Sequence, residues 1–175
     1  MIAPMLQGSL VRLRAPEPSD IDAFLRWEND TRVWDCGSTL APMSRHQMER
    51  YLDGYSADIA GERQLRLVVE ELATRRAAGA VDLFDFDALD GRCGTGIIID
   101  PDMRGRGYGR EALLLTADYA RRRLGLHQLW CQIAAGNNAS RRLFAGAGFT
   151  VTGHLRDWLR RRNGYVDVVF MQMML

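Results

Sequence analysis

Apolar and polar positions alternate between two periods along the chain. SLVRLR, residues 9–14, alternates with period two and predicts a first strand, which Pro16 and Pro18 break. Ile21, Phe24, Leu25 and Trp27 then recur at helical spacing in DIDAFLRWEND, with Ser19 as the expected cap. Residues 31–43 show no period and read as a loop or short turn. A second helix is expected after Ser44, with Met48, Tyr51, Leu52 and Tyr55 on one face. LRLVVEEL (65–72) and AVDLFDFDAL (80–89) read as strands separated by the turn TRRAAG. DGR (90–92) signals a hairpin into CGTGIIID (93–100). A long helix follows residues 104–109 and closes at Gly125 as a left-handed cap. HQLWCQIA (127–134) is a strand, GNNASRRLFAGAGF a short helix ending at Gly148, and the last two apolar segments form a strand pair.

The predicted order is β-α-α-β-β-β-α-β-α-β-β. It implies one α/β domain over residues 1–175, with a mixed, largely antiparallel sheet of about seven strands and about four flanking helices. A doubly wound nucleotide fold is excluded. Gly105, Gly107 and Gly109 alternate, which is not the dinucleotide fingerprint, and no P-loop GK[ST] is present.

Composition narrows the classes further. No run of eighteen apolar residues exists, and the start lacks a signal-peptide core, so a cytoplasmic protein with no membrane partner is expected. Cys36, Cys93 and Cys131 have no metal-like spacing and read as reduced and structural. His46, His127 and His154 are scattered, so no metal site is expected. The net charge of +1 conceals an asymmetry: residues 1–100 carry −6 and residues 101–175 carry +7, with arginine the only strong cation. One half suits a cationic ligand and the other an anionic one; nucleic acid is disfavoured because the whole chain is not basic.

The stretch RGRGYG, residues 104–109, sits at the entrance of the long helix. Glycines there permit positive φ and remove Cβ atoms from the path of a ligand. The first N–H groups of the helix lack partners and carry partial positive charge. A phosphate fits such a mouth, with Arg104, Arg106 and Arg110 nearby and Tyr108 within the loop. Backbone N–H bonds to charged oxygens, at about 1.5–3 kcal/mol each, would outweigh a helix-dipole contribution of about 0.3–1 kcal/mol.

Arg104, Gly107 and Gly109 fill the string R-x-x-G-x-G, and NNASRRLFAGAGF supplies Asn137, Ser140, Phe144, Gly148 and Phe149 in N-x-x-[AS]-x-x-x-[YF]-x-x-x-G-F. The pair resembles the two signatures of the Gcn5-related N-acetyltransferases (GNAT). Within that family the chain looks most like the spermidine/spermine and ribosomal-protein acetyltransferases, in "RLRAPEPSDIDAFLRWEND", "AVDLFDFDALDGRCGTGIIIDPDMRGRGYGREAL", "LGLHQLWCQI" and "GAGFTVTGHLRDW". The resemblance implies the GNAT fold, with strands splayed at the cofactor site, and acetyl-CoA as co-substrate. It implies a diphosphate over Arg104–Gly109, a pantetheine arm along Ile97, Ile98 and Ile99, and a contact from Asn137. It implies direct transfer to an amine. Relatives carry a tyrosine acid where this chain has Phe144. That role is not carried over; Ser140, one helical turn earlier, is the candidate acid, and Phe144 is expected to pack near the acetyl group.

A cationic acceptor would suit carboxylates. Asp82 and Asp85 in VDLFD match acidic positions of the spermidine enzymes, and either is a candidate base. In a regular strand Asp85 and Asp87 share one face and Asp82 lies on the other. Asp35, Glu28 and Asp30 could line the same mouth, with Trp27, Trp34 and Tyr51 as walls. The expected acceptor is a polyamine or similar small cation. A protein N-terminus and a coenzyme A sensor with little turnover are the alternatives. A homodimer or larger homo-oligomer is expected from exposed C-terminal edge strands and family habit.

Overall fold

The computed structural model describes residues 4–34, 40–161 and 163–175. Seven strands form one sheet: β1 (Val11–Arg14), β2 (Gln64–Glu71), β3 (Ala77–Asp87), β4 (Arg92–Ile99), β5 (Gln128–Ala134), β6 (Thr150–Arg161) and β7 (Gly164–Met174). Their spatial order is β1-β2-β3-β4-β5-β7-β6, and only β4 and β5 run parallel. The helices are α1 (Ile21–Glu28), α2 (Thr31–Trp34), α3 (Arg45–Asp53), α4 (Ile59–Glu62), α5 (Tyr108–Arg122) and α6 (Asn138–Gly146). Four of these have eight residues or more; α2 is a single turn inside the segment read as a loop or short turn, and α4 a single turn in a stretch with no element predicted.

Strand alternation sorts the core onto two faces. Leu67, Val69, Val81 and Leu83 turn towards one cluster with Ala112, Leu113 and Ala117 of α5. Val68 and Ala80, from the intervening positions, join Ile21, Phe24, Trp27 and Met48 of α1 and α3. The residues between Leu67 and Val81 of these two strands therefore bury both faces, as a central strand pair must.

Several local expectations change. α1 begins at Ile21 with Asp20 at its N-cap, and Ser19 lies within a 3-10 turn, Pro18–Asp20. The Asp20 carboxylate takes both guanidinium nitrogens of Arg14 at 2.7 and 2.8 Å, so the strand-to-helix corner is fixed by an ion pair and not by a serine cap. Ser44 does cap α3, accepting from the Gln47 N–H at 3.2 Å. β3 starts at Ala77, inside the expected turn. Its pairing with β4 shifts between Phe84 and Asp87, and Asp85 has φ 50, so a bulge interrupts the regular alternation assumed for the three aspartates. Gly125 and Gly148 take positive φ, 67 and 105, at the ends of the helical segments they were expected to close.

No helix is long and apolar enough to cross a membrane, and no group of three or more potential metal ligands occurs, among the described residues. Cys93 and Cys131 are buried free thiols, each pushed up to about 12 by burial; Cys36 lies outside the described residues.

Candidate active site

The sheet opens where β4 leaves β5. Their pairing covers only Arg92–Gly94 against Gln128–Trp130. β4 continues to Ile99 against β3, so its β5-facing edge beyond Gly94 has no strand partner. The Thr95 hydroxyl, one residue past the last pair, is buried without a hydrogen-bond partner. A cavity of about 1280 Å³ runs from Ile97, Ile98 and Ile99 of this edge to the entrance of α5.

That entrance is built as its glycines suggest. Gly105 and Gly107 have φ 76 and 86, and a Cβ on Gly105 would meet nothing within 4 Å. Gly107 is the N-cap of α5 and no side chain caps the helix, so its first N–H groups face outward unsatisfied. Gly109 instead allows close packing, since a Cβ there would lie 3.2 Å from Leu143. Arg104 lines the cavity and donates through Nε to the Ile99 carbonyl at 3.1 Å. Arg110 also lines it and donates to the Gly146 carbonyl at 2.9 Å, tying α5 to the end of α6. Arg106 stands outside the wall, donating to the Asp102 carbonyl at 3.2 Å. The Tyr108 side chain is buried and its hydroxyl donates to Glu71. An open, unsatisfied helix mouth, an unpaired strand edge and a cavity joining them fit a diphosphate with an extended amide-bearing arm.

On α6, Asn137 is the N-cap, its side-chain oxygen accepting from the Ser140 N–H at 3.1 Å. Both residues line the cavity. Phe144 does not. It is buried edge-on against Phe149, ring centroids 5.0 Å apart, behind the residues that line the cavity.

The far end of the cavity holds a charge cluster whose centre the sequence reading missed. Arg66 of β2 faces its cross-strand partner Asp82 of β3 and donates to both carboxylate oxygens at 2.7 and 3.0 Å. A third nitrogen reaches Glu28 of α1 at 3.2 Å. The guanidinium lies 5.7 Å from the Phe24 ring centroid and 5.8 Å from that of Tyr51. Burial opposes the Arg66 charge, but Asp82 and Glu28 outweigh it and hold the guanidinium above its ordinary value. Burial likewise pushes the Tyr51 hydroxyl up. The signal was a lone arginine in the apolar run LRLVVEEL, between positions that both point to the opposite face. Trp27, Glu28, Tyr51 and Asp82 all line this end. Asp85, on the bulge, is exposed and stands outside the wall; so does Trp34, whose indole N–H donates to the Glu28 carbonyl at 2.7 Å. Asp35 lies outside the described residues.

Residues 11–150 match the family described as Acetyltransferase (GNAT) domain. A spermidine N(1)-acetyltransferase of Vibrio cholerae is 28% identical over 167 residues, covering 95% of this chain and 94% of that one. An L-methionine sulfoximine/L-methionine sulfone acetyltransferase of Salmonella typhimurium is 33% identical over 94 residues, 54% of each chain. The crystal structure of spermidine N-acetyltransferase from Vibrio cholerae in complex with CoA and spermine superposes with TM-score 0.83 at 25% identity, covering 95% of this chain and 96% of that one.

Proposed function

The chain belongs to the GNAT acetyltransferase family, and from that premise we propose that it moves an acetyl group from acetyl-CoA directly to a primary amine, a polyamine such as spermidine being the first acceptor to test. GNAT enzymes use acetyl-CoA, which when bound supplies the activated acetyl thioester. The carrying observation is one continuous cavity with an uncapped helix mouth at one end and carboxylates at the other.

Each part has a task. The N–H groups at the start of α5, with Arg104 and Arg110, hold the diphosphate. Ile97 and the Ile99 N–H offer backbone groups at the unpaired edge to the amide-bearing arm, and an N–H of this edge faces the carbonyl oxygen as charge develops on it. The Asn137 amide nitrogen donates to no protein group among the described residues and is available to the same arm. Asp82 and Glu28 attract the acceptor ammonium. Asp82 uses one lone pair on each oxygen for Arg66, which leaves others to receive an ammonium N–H and, directly or through water, its proton. The Ser140 hydroxyl, directly or through a held water, donates a hydrogen bond to the departing sulfur, which leaves as a thiolate and takes its proton from solvent. Buried thiols with no histidine partner make an acyl-enzyme route through Cys93 or Cys131 a poor fit.

The relatives support an amine acceptor, and the substrates in their names differ: spermidine for one, amino-acid analogues for another. An acceptor panel of spermidine, an α-amino acid and an N-terminal peptide, read by thiol release and product mass, tests the reading. Acetylspermidine formation supports it. Turnover with peptide alone moves the chain to the protein N-terminus alternative, and coenzyme binding without turnover to a sensor. We further read the chain as a cytoplasmic homodimer or larger assembly. The edge strand β6 and the exposed Trp158 and Tyr165 support an assembly contact, which mass photometry measures.

A further inference from the structure

Between the helix mouth and the acceptor end lies a buried carboxylate to which neither half of the mechanism assigns a task. Asp100 follows the last residue of β4 and is 3% exposed. Its two oxygens serve different parts of the molecule. Oδ2 accepts from the Trp27 indole N–H at 3.0 Å and from the Arg26 guanidinium, both on α1. Oδ1 accepts from the Asp102 backbone N–H at 3.0 Å, and the Asp100 carbonyl accepts from Met103 N–H at 2.9 Å. The Asp102 carbonyl in turn accepts from Arg106 at 3.2 Å, within the glycine loop. Asp100 itself is anchored to the sheet, its N–H donating to Ala78 at 2.8 Å.

α1 matters because its C-terminal end is acceptor wall. Trp27 lines the cavity, and its neighbour Glu28 carries one of the two carboxylates on Arg66. The loop matters because it leads into the helix mouth. A single buried carboxylate thus joins the phosphate loop to the acceptor wall, with its bond to the buried Trp27 indole shielded from water and its bonds towards Arg26 and the loop more exposed.

We propose that Asp100 is a positioning residue that couples coenzyme engagement at residues 104–109 to the placement of α1, so that the acceptor wall is set when the coenzyme is held. The inference rests on the coenzyme site proposed above. Bonds to Oδ1 and Oδ2 come from donors on both sides, so an amide at this position can satisfy only one side without opposing N–H groups. Asp100→Asn therefore breaks the link while keeping size and shape. Trp27→Phe removes the indole N–H and keeps an aromatic ring.

Hydrogen-exchange mass spectrometry of the full chain with and without coenzyme A tests this. In the wild type, coenzyme A slows exchange at 104–110 and also at 21–28, by about five-fold or more at the latter, the lower end of ordinary coupling between sites. In Asp100→Asn the loop stays protected by the coenzyme, whereas the effect on α1 falls below about two-fold. Trp27→Phe lowers it in the same direction and carries the test if Asp100→Asn does not fold. Equal α1 protection in wild type and variants overturns the proposal, as does a wild-type loop that is protected while α1 is unaffected. A purely structural role for Asp100 would change α1 exchange equally with and without coenzyme, which also overturns it. Absence of protection at 104–110 in the wild type removes the coenzyme site itself, and the coupling with it.

Discussion

Arg66 decides the character of the acceptor end. It is a cation among carboxylates, with about a quarter of its side chain exposed, 23%. Replacing it with methionine keeps much of the packing on Phe24 and Tyr51 but strips the Asp82 carboxylate of the guanidinium that holds both its oxygens. We expect Arg66→Met to lower stability by about 2 kcal/mol, short of the about 3–5 kcal/mol of a fully buried broken pair, as read by urea denaturation. Ser140 carries a different prediction. Ser140→Ala should reduce kcat by about 10²-fold, the low end of acid–base contributions, with coenzyme A affinity unchanged in calorimetry. Adding Phe144→Tyr to that variant tests whether a phenol from this position replaces the lost donor. Recovery of turnover is expected if the tyrosine ring leaves Phe149 for the cavity; no recovery assigns position 144 to the core alone.

At the scale of elements, the glycine loop and the start of α5 act as one unit. Gly107 has φ 86, and a Cβ there would approach Leu10 at 3.3 Å. Gly107→Ala therefore strains a left-handed residue by about 1–2 kcal/mol and shifts the N–H groups that follow. We expect the KM for acetyl-CoA to rise about tenfold, equivalent to one charge-assisted backbone bond, with a smaller change in kcat. The shape of this loop was legible in advance because glycines spaced before a helix permit the positive φ that Gly105 and Gly107 adopt. The carboxylate face of β3 was less legible. Period-two reasoning distributes Asp82, Asp85 and Asp87 over two faces, but a bulge at Asp85 is a pairing event with β4, invisible in a single strand's pattern. The α1 cap failed for a related reason: Asp20 was claimed by Arg14 across the β1–α1 corner, an interaction between elements.

The whole molecule is held partly by buried or half-buried carboxylates in hydrogen-bonding sites. Burial raises Glu70, Asp100 and Glu111, but their partners win and hold all three below the usual carboxylate range. Those partners are Arg12 and Arg14; Trp27, Arg26 and the Asp102 N–H; and Ser9 with the Val11 and Leu10 N–H groups. Protons therefore bind these groups more weakly in the folded chain than in the unfolded one. Their stabilisation is fully present above the ordinary carboxylate values near 4 and is lost as pH falls through the lowered ones. We expect the urea midpoint to be nearly flat from pH 7 to about 5 and to drop steeply below about pH 4. Glu111→Gln should flatten that drop, because it removes a titrating group that ties the N-terminal segment to α5.

The sequence by itself determined the order of the longer elements and the glycine-opened start of α5, because periodicity, glycine spacing and turn residues act over a few neighbours and are written locally. Only the tertiary structure decided that β4 parts from β5 just after Gly94 and that Arg66 sits between two carboxylates. It also decided that Asp100 bonds both α1 and the turn before the glycine loop. Each of these depends on which residues distant in the chain become neighbours. That choice follows from strand register and from the pairing of buried charges across elements, neither of which any single segment specifies.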